Sequence, residues 1–258
     1  DRGAAEVRAV SLAFNAMAAR LSDGLTRLAQ YGDELAHELR TPLATLIAHT
    51  EIVLARARSS QELRALHESN LEEYARLSRM VDEMLFLAQA GNARIALRRA
   101  PLDLRALAER LAELYEPLAE ERAVRLEVSG AATASADRSL IERAVSNLLA
   151  NAIRHAHGGS TVQLRLVAAP AASEIVVRNV GDGIAPQDLP HVFERFWRAD
   201  RKASQASPSS GLGLSIVRSI ARLHDGQVTV ASEPGRWAEF RLVLPQSPPQ
   251  FGEVIQLS

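Results

Sequence analysis

Two apolar stripes, both stepping by three and four residues, constrain this chain more than any other feature. The first runs Leu35, Leu39, Leu43, Leu46, Thr50, Val53, Ala57, and the second Leu63, Leu66, Asn70, Tyr74, Leu77, Val81, Met84, Ala88. Such spacing puts each set on one face of a helix, and the near-heptad period is that of a coiled-coil or bundle seam. Residues 1 to about 90 are almost free of Gly and Pro and rich in Ala, Leu, Arg and Glu, which are strong helix formers. Between the stripes, "SSQE" sets Ser59 and Glu62 at capping-box spacing for a new helix. The pattern predicts a helical hairpin over residues 25–90. Two helices alone bury little surface, so the hairpin is expected to dimerise into a four-helix bundle.

The texture changes near residue 101. A helix (Leu102 to Ala119) precedes β-like runs at 124–128, 162–167, 174–179, 227–232 and 238–244, with further helices at about 138–157 and 212–224. Strands mixed with helices over 101–245 read as an α/β domain. "GNARIALRRAP" supplies a hinge over residues 91–100, and "ADRKASQASPSS" (199–210) reads as a mobile loop. The tail 246–258 gives no reading. A chain of 258 residues that is 47% hydrophobic is long enough for two such domains. Its formal net charge of −1 gives no general pull toward nucleic acid or an anionic membrane. The absence of cysteine excludes disulfides and thiolate metal sites. No apolar run approaches the ~20 residues needed to span a bilayer, and no secretory signal is present. The first residues open in mid-helix pattern, so the chain is expected to be a piece of something longer.

Inside the first stripe, "AHELRTPL" (36–43) carries a titratable pair on one turn and a helix breaker on the next. His37 lies two residues from Leu35 and from Leu39, so it points away from the buried stripe. Glu38 can take the proton on one ring nitrogen and raise the nucleophilicity of the other. Pro42 has no N–H, so the Glu38 carbonyl loses its helical partner. Thr41 adds a hydroxyl one turn beyond the histidine. A solvated His–Glu pair is the ordinary reading of these two residues alone.

Four further stretches could hold a nucleotide. The helix at 138–157 buries Ile141, Ala144, Val145, Leu148 and Ala152, while Asn147, Asn151, Arg154 and His155 share another face. Two amides and a cation there can serve a hydrated divalent ion and the phosphates that it bridges. "NVGDGIAP" (179–186) ends a strand at Asn179, and Gly181 and Gly183 allow a tight turn close to a flat ligand. In "FERFWR" (193–198), Phe193 and Phe196 read as core or hinge anchors and Arg198 as a phosphate contact. "SGLGLSIV" (210–217) is a glycine-rich turn opening a helix that buries Leu214, Ile216, Val217, Ile220 and Leu223. Its free N–H groups form an anion site. The Lys-Ser/Thr of a Walker loop is missing, so the P-loop reading fails.

Taken in order, these stretches resemble a sensor histidine kinase of a bacterial two-component system. "HELRTP" is similar to the phosphoacceptor box, "NLLANAIRH" to the N box, "NVGDGI" to the G1 box, "FERFWR" to the F box and "GLGLSIV" to the G2 box. "AFNAMAARL" (13–21) resembles the closing helix of a HAMP signal-relay module. The resemblance implies a partial HAMP helix over 1–24, a dimeric phosphotransfer hairpin, and a catalytic α/β sandwich of the histidine kinase/Hsp90-like type. It implies ATP and Mg²⁺ as cofactors, a homodimer, and a response regulator receiver domain as partner. It places this chain as the cytoplasmic portion of a bacterial inner-membrane sensor whose transmembrane segments are missing here. His37 would accept the phosphoryl group, Glu38 would orient it, and Thr41 would position water when the enzyme dephosphorylates its partner. Asn147 and Asn151 would serve Mg²⁺, with Arg154 and His155 beside the phosphates. Asn179 would read adenine in a pocket shaped by Gly181, Gly183 and Ile184. Arg198, Gly211, Leu212, Gly213 and Leu214 would cradle the phosphates. The chain departs from the family pattern in having Asn179 where Asp is usual, Ser209 where Gly is frequent, and "GRWAEF" in place of Gly-x-Gly-Thr. Related ATPases of the fold carry a water-activating glutamate where Asn147 stands. A non-catalytic dimeric scaffold and a stand-alone ATPase are the other readings.

Overall fold

The computed structural model describes residues 32, 36, 39–55, 59–91, 95–198 and 210–246. His37, Glu38, the HAMP-like stretch and the tail beyond Gln246 lie outside the described residues. The chain divides into two compact units, and the division falls after Arg79.

The first unit holds helix α1 (residues 39–54) and the start of α2 (Ser60–Gly91). The capping box forms as expected. The Glu62 N–H donates to Ser59 Oγ at 3.2 Å, and the Ser59 N–H donates to Glu62 Oε2 at 2.9 Å. Both satisfy donors that a bare helix end leaves open. α1 runs unbroken through Pro42, which is buried. Among the described residues up to Arg79, only Pro42, Leu46 and Asn70 are buried. The predicted seam is therefore only partly closed by one chain. Leu43 and Tyr74, both stripe residues, stay 48% and 56% exposed. A polar pair crosses the hairpin, with His49 Nδ1 3.0 Å from Asn70 Oδ1.

The second unit is a two-layer α/β sandwich. Its main sheet has strand order β2-β4-β5-β7-β6: β2 (Arg125–Gly130), β4 (Thr161–Ala168), β5 (Ala172–Val180), β6 (Gln227–Glu233) and β7 (Trp237–Pro245). β2 and β4 pair in parallel, and the other neighbours are antiparallel. One row of side chains crosses all five strands: Val128, Leu164, Val177, Phe240, Val230. Helices α3 (Leu104–Glu121), α4 (Arg138–His155) and α5 (Gly213–Leu223) cover that face. The opposite face carries charge, including Arg241 to Glu174 at 2.6 Å. This alternation is what a sheet packed on one side and wet on the other requires.

Five strands appear where the alternating runs predicted them. Two more, β1 (Ala100–Asp103) and β3 (Thr133–Ala136), pair as a small antiparallel ribbon that the sequence reading lacks. β1 also corrects the start expected for the first helix of this domain. Leu102 is in the strand, and Asp103 caps α3 by accepting from the Arg105 and Ala106 N–H groups. α4 buries every residue predicted for it, with Leu149 and Ile153 in addition. α5 buries Ile216, Val217 and Ile220, but Leu214 and Leu223 are only half-buried. The residues expected to form the hinge are docked from 98 onward. The Arg98 N–H donates to Asp137 Oδ2, and Arg99 reaches Asp225 and the Leu223 carbonyl. No described helix is long and apolar enough to cross a membrane.

Candidate active site

α4 is the axis of the site. Asp137 caps it, accepting from the Ser139 and Leu140 N–H groups. Burial raises the Asp137 pKa, but hydrogen bonds from the Ser139 hydroxyl and the Arg98, Leu140 and Ser139 N–H groups outweigh it and keep the carboxyl below its ordinary range. One face of α4 is locked into the core, so Asn147, Asn151 and Arg154, all half-buried, face away from it.

Both glycine turns come up against this helix. Asn147 Nδ2 donates to the Arg143 carbonyl at 2.9 Å, which leaves Oδ1 toward α5. A Cβ added at Gly213 would meet that Oδ1 at 2.8 Å, so a larger residue there would push the Asn147 amide out of place. At the other end, the amide of Asn179 donates through Nδ2 to the His155 carbonyl at 3.2 Å. Asn179 is 2% exposed. A Cβ at Gly181 would stand 2.0 Å from the same His155 carbonyl oxygen. Gly183 has φ +66, and a Cβ there would meet the Glu233 carbonyl oxygen at 2.4 Å.

The turn after Asn179 is braced by the β6–β7 hairpin. The Ile184 N–H donates to Ser232 Oγ at 2.8 Å, and the Gly235 N–H donates to the Asp182 carbonyl at 2.6 Å. "GRWAEF", which departs from the family pattern, thus still supplies a hairpin under this turn. The "FERFWR" stretch forms turns rather than a regular element. Phe193 is core, edge-on to Phe240 at 6.1 Å between ring centres. Phe196 takes a left-handed φ of 57 and donates its N–H to the Gly211 carbonyl at 3.0 Å. α5 begins at Gly213 behind Leu212, whose side chain offers no cap to the first turn. An anion is a suitable partner for such a start.

Charge collects around α4. Burial lowers the Arg154 pKa, and its neighbours Arg122 and Arg198 lower it further, while Glu83 opposes them. Burial lowers that of Arg143 as well, against the charges of Glu83 and Asp82. Desolvation and the Arg154 charge push the His155 pKa down, against the charge of Asp182, although the residue keeps an exposed edge. Among the described residues no cluster of three or more His, Cys, Asp or Glu could hold a metal. A divalent ion here would rest on the amide oxygens of Asn147 and Asn151, water and ligand phosphate. Neutral oxygen donors of that kind suit magnesium.

The structure therefore brings together Asn147, Asn151, Arg154, His155, Asn179, Gly181, Gly183, Ile184, Arg198 and Gly211–Leu214. Thr41 lies exposed on α1 in the other unit. Arg143, Glu83 and Ser232 escaped the sequence reading. Their parts depend on partners far away in the chain, and no local signal marks them.

This is the arrangement of a nucleotide-binding fold shared by kinases and ATPases. Residues 136–248 match the family described as histidine kinase-, DNA gyrase B-, and HSP90-like ATPase. Residues 30–93 match the His Kinase A (phospho-acceptor) domain. The mycobacterial sensor histidine kinase MprB is 33% identical, with 58% of this chain and 99% of that one aligned at a TM-score of 0.51. The full-length structure of ShkA in complex with AMPPNP is 27% identical over 84% of this chain and 46% of that one, at a TM-score of 0.64. The sensor protein CzcS of Cupriavidus metallidurans is 46% identical over 240 residues, which are 93% of this chain and 50% of that protein. The chain thus spans about half the length of the curated relatives it matches. It belongs to the sensor histidine kinases, with a phosphoacceptor hairpin followed by a histidine kinase/Hsp90-like domain.

Proposed function

We propose that this chain is the catalytic core of a homodimeric sensor kinase that phosphorylates itself on His37 and passes the group to an aspartate of a response regulator. One observation carries the nucleotide site: α4 meets both glycine turns, through Asn147 at Gly213 and His155 at Asn179. With Nδ2 committed to a carbonyl, Asn179 presents Oδ1 as an acceptor. The 6-amino group of adenine donates there, whereas guanine would offer a second acceptor. ShkA, a structural relative, was solved with AMPPNP, an ATP analogue.

Asn147 and Asn151 would hold Mg²⁺, which would neutralise phosphate charge when bound. Arg154, Arg198 and the N–H groups of Gly211–Leu214 orient the phosphates. His37 attacks the γ-phosphorus through an imidazole nitrogen, the bond to the β-bridging oxygen breaks, and ADP leaves. Positioning and charge compensation carry most of such a transfer. Glu38 holds the ring proton on the far nitrogen. Thr41 positions water in a separate phosphatase reaction, in which water takes the phosphoryl group from the partner's aspartate as inorganic phosphate. Pro42 weakens the turn so that signal-driven bending reaches His37. The exposed apolar residues of the hairpin are covered by a second copy of this chain. The whole protein is a sensor of the bacterial inner membrane with this portion in the cytoplasm.

The test is incubation with γ-labelled ATP and Mg²⁺. Acid-labile, base-stable label that vanishes in His37→Gln supports the reading. A chain that binds no adenine nucleotide and takes up no label overturns it and leaves a dimeric scaffold.

A further inference from the structure

The last turns of α2, which belong to the second unit, are packed onto it. Met80, Met84, Phe86 and Leu87 are buried, at 1%, 4%, 7% and 1% exposure. Three polar contacts join them to the site. Ser210 Oγ donates to Glu83 Oε2 at 2.7 Å. The Arg143 guanidinium stands 4.4 Å over the Phe86 ring. Arg195 Nη2 donates to the Leu87 carbonyl at 3.4 Å. Each partner adjoins a nucleotide element. Ser210 precedes Gly211 and accepts from the Leu212 N–H at 3.3 Å. Arg143 supplies the carbonyl that orients Asn147. Arg195 stands next to Phe196, whose N–H holds Gly211.

We infer that Glu83 is an internal counter-anion of the nucleotide site, whose carboxylate adds to the apolar contacts that hold the end of α2 on the domain until nucleotide phosphates take over its role. The inference rests on the nucleotide-binding reading above. Arg154 is crowded by Arg122 and Arg198, and Glu83 offsets them; Arg143 feels the same carboxylate together with that of Asp82. A magnesium-bound triphosphate still carries net negative charge. Set against the same arginines, it repels Glu83 across a partly desolvated space where such terms are larger than in water. Two states follow, one with α2 held and one with nucleotide bound, and each disfavours the other. Linkage makes this reciprocal. Nucleotide loosens the α2 end, and removing the Glu83 charge tightens nucleotide. Loading would thereby release the domain for its approach to His37. A carboxylate that merely orients Ser210 for the glycine turn gives the opposite sign, because its loss then weakens binding.

The experiment is equilibrium binding of AMPPNP with Mg²⁺ to the full chain, wild type and Glu83→Gln, with amide hydrogen exchange of residues 80–87 followed with and without nucleotide. Glu83→Gln is expected to bind about fivefold tighter or more, with the difference shrinking at high salt. In the wild type, nucleotide is expected to lower protection of residues 80–87, a readout that needs no variant to fold. Equal or weaker binding by Glu83→Gln, or unchanged or increased protection, overturns the inference. Failure of the wild type to bind AMPPNP overturns the nucleotide reading instead.

Discussion

Leu54 in the hairpin is 81% exposed, while Leu164 in the sheet is 2% exposed, although both are leucines in regular elements of one chain. The α/β unit closes its own core. A row of apolar side chains crosses five strands, and three helices cover it. The hairpin leaves Leu43, Ile47, Ile52, Leu54, Leu71 and Tyr74 in water and crosses its seam with a His49–Asn70 pair. A polar pair in an apolar seam lowers stability but fixes register. The lesson is a division of labour. One unit buries a core of its own and carries the site on it. The other reaches its full core only with further apolar surface against it, so its packing can answer to whatever supplies that surface.

Three measurements break or sharpen this contrast. The largest effect falls on the sheet. Phe240→Ala empties a fully buried position and is expected to cost about 3–5 kcal/mol. Both tryptophans, Trp197 and Trp237, lie in the second unit, so urea denaturation followed by their fluorescence reports that unit. Leu54→Ala should leave the same transition in place and weaken only self-association, seen by sedimentation. A Leu54→Ala shift of the fluorescence midpoint comparable to that of Phe240→Ala breaks the comparison.

The second effect is a pH dependence confined to the α/β unit. His224 is buried; its Nε2 accepts the Asp137 N–H at 3.0 Å, and its Nδ1 donates to the Ile220 carbonyl at 2.9 Å. Burial, aided by the charge of Arg99, holds its pKa below the ordinary value, against Asp137 and Asp225. The unfolded chain, with histidine near 6.5, therefore binds the proton first as pH falls. The contribution of His224 is complete above that value and is lost progressively below it. The fluorescence-detected midpoint should fall between pH ~7 and ~5, and less steeply in His224→Gln. An identical slope in the variant rejects the assignment.

The smallest effect belongs to the hairpin. Ser59→Ala removes the capping box of α2 and is expected to cost about 1 kcal/mol. Circular dichroism at helical wavelengths should register it while tryptophan fluorescence stays unchanged.

What was legible in the sequence follows the range of the interactions involved. The α4 stripe, the Ser59–Glu62 box and five strands are written in spacings of a few residues, and they appear where expected. β1 and β3 are "APLD" and "TASA", too short and too small to alternate, and they exist because each pairs with the other. The start of α3 moved because Asp103 was a better cap than any residue before Leu102. The glycines at 181, 183 and 211 could be read as tight turns because backbone stands where a Cβ would go. The contact of Glu83 with Ser210 joins residues 127 apart, and no local pattern encodes it. The orientation of the Asn179 amide likewise depends on a carbonyl 24 residues away.

The bond from Phe196 to Gly211 closes a ring in the backbone just outside the site. Chain that runs between two clasped ends can change length without moving either end. Doubling such a loop adds only about 0.6 kcal/mol of closure entropy. Residues 199–209 are therefore the natural place to graft a reporter peptide or fluorophore. Phe196 and Gly211, held to each other by that bond, would keep their spacing whatever is inserted between them.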